Sequence, residues 1–417
     1  MIYLALTVIV IFINIFKEKS LLNSTFFFAA PYVLIILLNN TMMRNLGYYS
    51  IGIDTYRILF VFAISLLISN ITYKSCFKNI RVHISRVSNF QMAIEDRTID
   101  KICVFLYVII IIRLINIILS IRSVGISSLY ANDFEELQLS GIIGHLTLLG
   151  TVMIPYIFRH WLKSKKKRDV VVILLYTAIL FASFIKYQVI ILILALFFEY
   201  CFLYPQKTVK ALLFFFSIVI LLFIGNYWLS FLLRDINFSS SFALSKIWTY
   251  IAGGTITNDV VLRIAHNEYS LEGFFLLSIS GIVNMLFYPI MRTNVIKNVA
   301  WGHLIIGQSG SVVYTTNVYS LLTYLSEMKL FEAIIISFFI GIIGEACINY
   351  SSKRSIEGYE KPTCLFIIAF IFLGFFSNYF SLSSSWEMII WSILSRVIIL
   401  LIPTVHFRFC RLKRAGN

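Results

Sequence analysis

Apolar runs long enough to cross a bilayer recur along almost the whole chain, and this pattern leaves few folds open. In hydrocarbon the backbone must satisfy its own N–H and C=O groups, and a helix does so internally. A run of about 20 apolar residues is therefore read as a membrane-spanning helix. Composition agrees: hydrophobic residues make up 59% and charged residues 13%, against roughly half and a quarter in soluble domains. The expectation is an all-α polytopic membrane protein. Eleven spans are predicted, at residues 2–16, 25–39, 53–70, 101–121, 141–158, 170–185, 187–204, 208–225, 331–350, 363–381 and 387–407. Met1–Phe16 has no basic segment before its apolar run and no small-residue cleavage site after it, so it reads as the first span and not as a signal peptide.

The net charge of +15 raises nucleic acid as a partner, but the placement of the charges removes it. Lysine and arginine cluster in alternate short loops, including Lys74–Lys101, Arg159–Arg168 and the tail from Arg408. That alternate set holds 23 of the 35 basic residues. By the positive-inside rule it is cytoplasmic, which puts the C-terminus inside, the N-terminus outside and residues 226–330 outside. All six cysteines fall in or beside the cytoplasmic set, so neither a disulfide framework nor a Cys-based zinc site is implied. The expected organisation is eight spans in 1–225, a large external loop in 226–330, and three spans with a basic tail in 331–417. Within the loop, Glu272–Ile290 is apolar. A further crossing would put the basic tail outside, so this stretch reads as an interfacial or re-entrant helix, with Gly281, Asn284 and Tyr288 on one face and Pro289 ending or bending it.

No Walker loop, dinucleotide-binding glycine pattern, HExxH or CxxC pair is present. Chemistry outside the cytoplasm has no ATP, so the loop should draw on an activated substrate carried in the membrane. Its basic residues include Arg234, Arg263 and Arg292. Arginine forks match phosphate oxygens, which suits a lipid-linked pyrophosphate, while pairing with Asp235, Asp259, Glu268 and Glu272 is the structural alternative. Arg113 and Arg396 each lie near the middle of a span. Arginine at that depth faces a cavity or a partner, so the two either line a water-filled pocket or pair with a buried carboxylate or carbonyl, Glu345 being the deepest candidate. Lys186 sits in a tight external turn, as a functional group or as a snorkelling one. Asp259, Glu268 and His303 are the candidate general bases. Tyr250, Trp248, Trp301, Tyr314, Tyr319 and Tyr324 read either as an interfacial aromatic belt or as sugar-stacking rings.

A series of spans, a tight external turn with a basic residue, one large external loop and a few closing helices resembles the O-antigen and capsule repeat-unit polymerases of the Wzy type. Tyr250-Ile251-Ala252-Gly253-Gly254 looks like that group's Tyr-x-x-Gly-Gly segment, and Asn317-Val318-Tyr319 looks like its Asn-x-Tyr segment. Two departures stand out: Lys186 occupies the place of a usual arginine, and Ser326-Glu327-Met328-Lys329 lacks an Asp-aromatic-Gly motif. The resemblance implies a fold similar to the C-type lipid-carrier glycosyltransferases and a place in the bacterial inner membrane. It implies transfer of a growing polysaccharide from undecaprenyl pyrophosphate to a lipid-linked repeat unit, with arginines in place of a metal ion and a chain-length regulator protein as a conceivable partner. An O-antigen ligase and a flippase or transporter of the same lipid-linked oligosaccharide are the alternatives.

Overall fold

The computed structural model describes residues 1–76, 96–124, 141–183, 186–233, 240–264, 271–291, 295–296, 302–352 and 362–401. Fourteen α-helices and one two-stranded hairpin order these residues. They are α1 Ile2–Glu18, α2 Ser24–Thr41, α3 Ile53–Cys76, α4 Asp96–Val124, α5 Gly141–Ser164, α6 Lys167–Ala182, α7 Lys186–Leu203 and α8 Thr208–Leu233. Then come α9 Ser240–Ile264, α10 Leu271–Met291, the hairpin β1 Leu304–Ser309 and β2 Val312–Thr316, α11 Leu321–Ser326, α12 Leu330–Ser352, α13 Pro362–Phe372 and α14 Ser383–Leu401. Among the described residues, six helices are long and apolar enough to cross a bilayer, and two shorter apolar ones, in α7 and α13, accompany them. The chain is an all-α membrane protein at this level of description.

The helices divide their faces as a lipid-embedded bundle does. On α4, Val104, Val108, Ile111, Ile115 and Leu119 are exposed at spacings of three and four, while Ile102, Leu106, Ile109, Arg113 and Ile117 are buried. The core runs through α2, α3, α5, α7 and α13, where Phe27, Phe28, Phe62, Phe198 and Phe366 are fully enclosed.

Polar contacts gather at two ends of the bundle. At one end, Lys74 pairs with Glu18 and Arg168 pairs with Asp100. There Arg159 donates to Glu199 at 2.7 Å, and Glu345 accepts from the Ser24 N–H at 2.9 Å and from Asn70 Nδ2 at 2.8 Å. At the other end lie the α2–α3 connection, the hairpin, α9 and α11.

Residues 226–330 hold more regular structure than a loop. α8 continues through Leu233, and α9 buries Ser245, Trp248, Ala252, Thr255 and Asp259, a stripe at spacings of three and four. Hydropathy misses that stripe because three of its five members are polar; the Thr255 hydroxyl donates to the Phe375 carbonyl at 2.9 Å and Asp259 accepts from the Gly52 N–H at 2.7 Å. The predicted apolar helix at 272–290 is α10, which ends two residues after Pro289. Gly281 lies so close to α14 that an added Cβ would be 2.6 Å from Ser383 Cα. The Asn284 side chain donates to the Ile296 carbonyl at 2.9 Å and accepts from its N–H at 3.0 Å.

Candidate functional site

Helix α9 is fixed at both ends of its buried stripe by one stretch of chain, residues 39–55. Trp248 Nε1 donates to Asn39 Oδ1 at 3.1 Å, and Tyr48 Oη donates to the Ser245 carbonyl at 2.5 Å beside Thr249 Oγ1. Burial of the Tyr48 hydroxyl pushes its pKa up to about 12. Further along, Asn258 Nδ2 donates to Thr55 Oγ1 at 2.9 Å, and Asp259 accepts from the Gly52 N–H at 2.7 Å. Because both contacts are with the same end of α2 and α3, α9 lies over the helix ends and not through the bundle.

The hairpin is held by the same connection. Gln308 N–H donates to the Gly47 carbonyl at 2.8 Å and Tyr49 N–H to Ile306 at 2.9 Å, while the Tyr48 ring stacks on Tyr314 at 4.5 Å. Gly47 adopts a φ of +96°, and a Cβ there would be 2.2 Å from the Gln308 carbonyl oxygen. Only glycine tolerates both conditions.

The middle of α9 joins the two segments singled out in the sequence. Ser320 N–H donates to the Gly254 carbonyl at 3.1 Å, and Thr257 Oγ1 donates to the Val318 carbonyl at 3.2 Å. A Cβ on Gly253 would meet Thr316 Oγ1 at 3.1 Å, and one on Gly254 would be 1.9 Å from the Phe376 carbonyl oxygen. Phe376 belongs to the break between α13 and α14, whose Asn378 N–H donates to the Tyr319 carbonyl at 3.0 Å. Tyr250 stacks on Phe376 with ring centres 5.7 Å apart. The glycines thus let three backbones meet, a packing role that the sequence motif alone did not separate from a binding one.

At the far end of the stripe, the Asp259 carboxylate is 6% exposed and both its oxygens are engaged. Oδ1 accepts from Gly52 and, at 3.4 Å, from Thr55 Oγ1; Oδ2 accepts from Arg263 Nη2 at 2.5 Å. This is the ion pair named above as the structural alternative for the loop arginines. The Arg263 side chain is 63% exposed, so its remaining donors face outward. A cavity of about 340 Å³ is lined by Asp54, Arg57, Ile58 and Val61 of α3, Leu262 of α9, and Ser326, Met328 and Leu330.

The other candidates are placed as follows. Tyr319 is buried and donates its hydroxyl to the Gly302 carbonyl, next to His303, which is exposed, as is Asn317. Burial raises the Tyr319 pKa above its usual value. Arg113 is fully enclosed beside the Tyr176 hydroxyl, which bonds to the Thr147 carbonyl and Thr151. That enclosure departs from the reading in which Arg113 lines a water-filled pocket open to the outside. Glu345, the carboxylate suggested as a partner for the deep arginines, accepts from the Ser24 N–H and Asn70 Nδ2 through Oε1. Lys186 opens α7 and Arg396 lies in α14, but their side chains fall outside the described residues, as do Arg234, Glu268 and Arg292 altogether.

Sequence reasoning passed over Arg57 and Asp54. The available signal was a pair of opposite charges one turn apart at the start of a predicted span, a place where composition alone suggests only helix-end charges. It also passed over the Thr55–Asn258–Ser326 chain, in which Ser326 Oγ donates to Asn258 Oδ1 at 2.6 Å; neutral polar residues carry no sequence signal for such a network. No family model, characterised protein or solved structure matches this chain.

Proposed function

We propose that the chain polymerises lipid-linked oligosaccharide repeat units, moving a growing polysaccharide from undecaprenyl pyrophosphate to the non-reducing end of a new lipid-linked unit. The acceptor hydroxyl oxygen attacks the anomeric carbon, the bond from that carbon to the pyrophosphate oxygen breaks, and a base takes the hydroxyl proton. The leaving pyrophosphate keeps the bond's electron pair, and arginines offset its charge. Arg263 fits that role because Asp259 occupies one of its nitrogens and leaves the rest facing outward. In this reading Asp259 positions Arg263, and exposed His303 is the base.

The observation carrying the reading is the meeting of Tyr250–Gly254 with Thr316–Ser320. These segments bear the resemblance, lie far apart in sequence, and are joined directly where the Ser320 N–H donates to the Gly254 carbonyl, with Thr257 just beyond donating to the Val318 carbonyl. The reading places the protein in a bacterial inner membrane with eleven spans, the N-terminus outside, the C-terminus in the cytoplasm and α9 on the outer face. It is supported by the gathering of Lys74, Arg159 and Arg168 contacts at the end opposite α9.

Purified protein given only lipid-linked repeat units should build a ladder of longer chains. Arg263→Ala and His303→Ala should each lower ladder formation by at least about tenfold, the loss of roughly 1.4 kcal/mol of transition-state stabilisation, while the variants elute as folded protein. Normal ladders from both variants would remove these roles, and no ladder from the unaltered protein would remove the polymerase reading.

A further inference from the structure

The cavity beside α3 pairs two opposite charges with an apolar wall. Asp54 and Arg57 lie one turn apart on α3, hence on one face of it, and both are exposed. Neither makes an ion pair or side-chain hydrogen bond among the described residues, whereas the nearby Asp259 and Arg263 pair with each other. Ile58, Val61 and Met328 continue the lining. Along α3 the order is therefore charge first and apolar surface deeper, with Val61 about 10 Å beyond Asp54 at 1.5 Å per residue. The cavity also borders an apolar outer surface: Leu330 lines it, and Phe331 and Ile334 next to it on α12 are exposed.

We propose that this cavity binds a zwitterionic phospholipid bearing a primary ammonium headgroup. Arg57 takes the phosphate, Asp54 takes the ammonium, and the upper acyl chain lies against Ile58, Val61 and Met328. The polarity gradient of the cavity matches that of such a lipid, whose phosphate and ammonium are separated by a short linker. A primary ammonium donates hydrogen bonds to the Asp54 carboxylate, which a quaternary ammonium cannot do. An anionic headgroup without an amine still gives its phosphate to Arg57 but leaves the Asp54 carboxylate with no cation to pair with. The site stands on α3 and its neighbours and is independent of the polymerase reading.

The test is lipid retention by the full chain in detergent, measured by native mass spectrometry after titration with phosphatidylethanolamine, phosphatidylcholine or phosphatidylglycerol. Unaltered protein should retain phosphatidylethanolamine about five- to tenfold better than phosphatidylcholine, the effect of roughly 1 to 1.4 kcal/mol from a charge-assisted hydrogen bond at a partly exposed site. Asp54→Asn should abolish that preference, and Arg57→Gln should lower retention of both amine and choline lipids. Equal retention of the two lipids by unaltered protein, stronger retention of phosphatidylglycerol, or a preference that survives Asp54→Asn would each overturn the proposal. If a variant fails to fold, the comparison of lipids on the unaltered chain still decides.

Discussion

Gly254 is the residue at which one methyl group has most to displace in the candidate site. Its hypothetical Cβ would be 1.9 Å from a backbone carbonyl oxygen, whereas that of Gly253 would meet a threonine side chain at 3.1 Å. A backbone in a packed crossing cannot swing away as a side chain can. Gly254→Ala is therefore expected to cost about 1–3 kcal/mol through overpacking, and Gly253→Ala distinctly less. Thermal unfolding of the two variants in the same detergent checks this, and equal losses would contradict the packing described. The sequence marks both glycines as a pair worth attention; that one abuts backbone and the other a side chain follows only from what α9 packs against. Asp259 makes the same point. Its place in the expected external loop near basic residues makes it a candidate base, but the Gly52 N–H that occupies it comes from more than two hundred positions away.

At the scale of elements, the end of the bundle away from α9 is held by charges drawn from several helices. Arg159 of α5 and Glu199 of α7 are 2% and 3% exposed and meet at 2.7 Å, while His160 of α5 bonds Asp169 of α6 at 2.5 Å. Removing one member of a buried pair strands the other, so Arg159→Ala should destabilise by about 3–5 kcal/mol. Replacing both residues with apolar ones of similar volume should cost much less. Unfolding midpoints of the single and double variants separate a structural clamp from a charge needed only for orientation. In the sequence, Arg159 and Glu199 are two charges at the ends of spans, useful for assigning a side of the membrane. That they neutralise each other becomes visible only when α5 packs against α7. Helix α9 escaped the sequence reading for a related reason: its buried face contains Ser245, Thr255 and Asp259, and polar residues mark a buried face only when their partners are known.

For the whole molecule, helix ends assigned to one side of the membrane by charge are also the ends whose side chains meet. Lys74 meets Glu18, Arg168 meets Asp100, and the α2–α3 connection meets α9 and the hairpin. The orientation can be checked in whole cells with a membrane-impermeant thiol reagent. In a background lacking the other cysteines, a cysteine placed at Val312 in the hairpin should label in intact cells, whereas exposed Cys76 should label only after permeabilisation. Labelling of both in intact cells would break the eleven-span orientation. The amino-acid sequence by itself determined the helical membrane class and the positions of the apolar helices, because burial in lipid depends on local composition that each segment carries within itself. It also determined which loops share a charge sign. Tertiary structure alone decided that Tyr250–Gly254 meets Thr316–Ser320, that Asp259 is an anchor, and that Asp54 and Arg57 share a cavity. Each of those facts depends on an atom supplied by a distant segment, and no local pattern specifies which segment that will be.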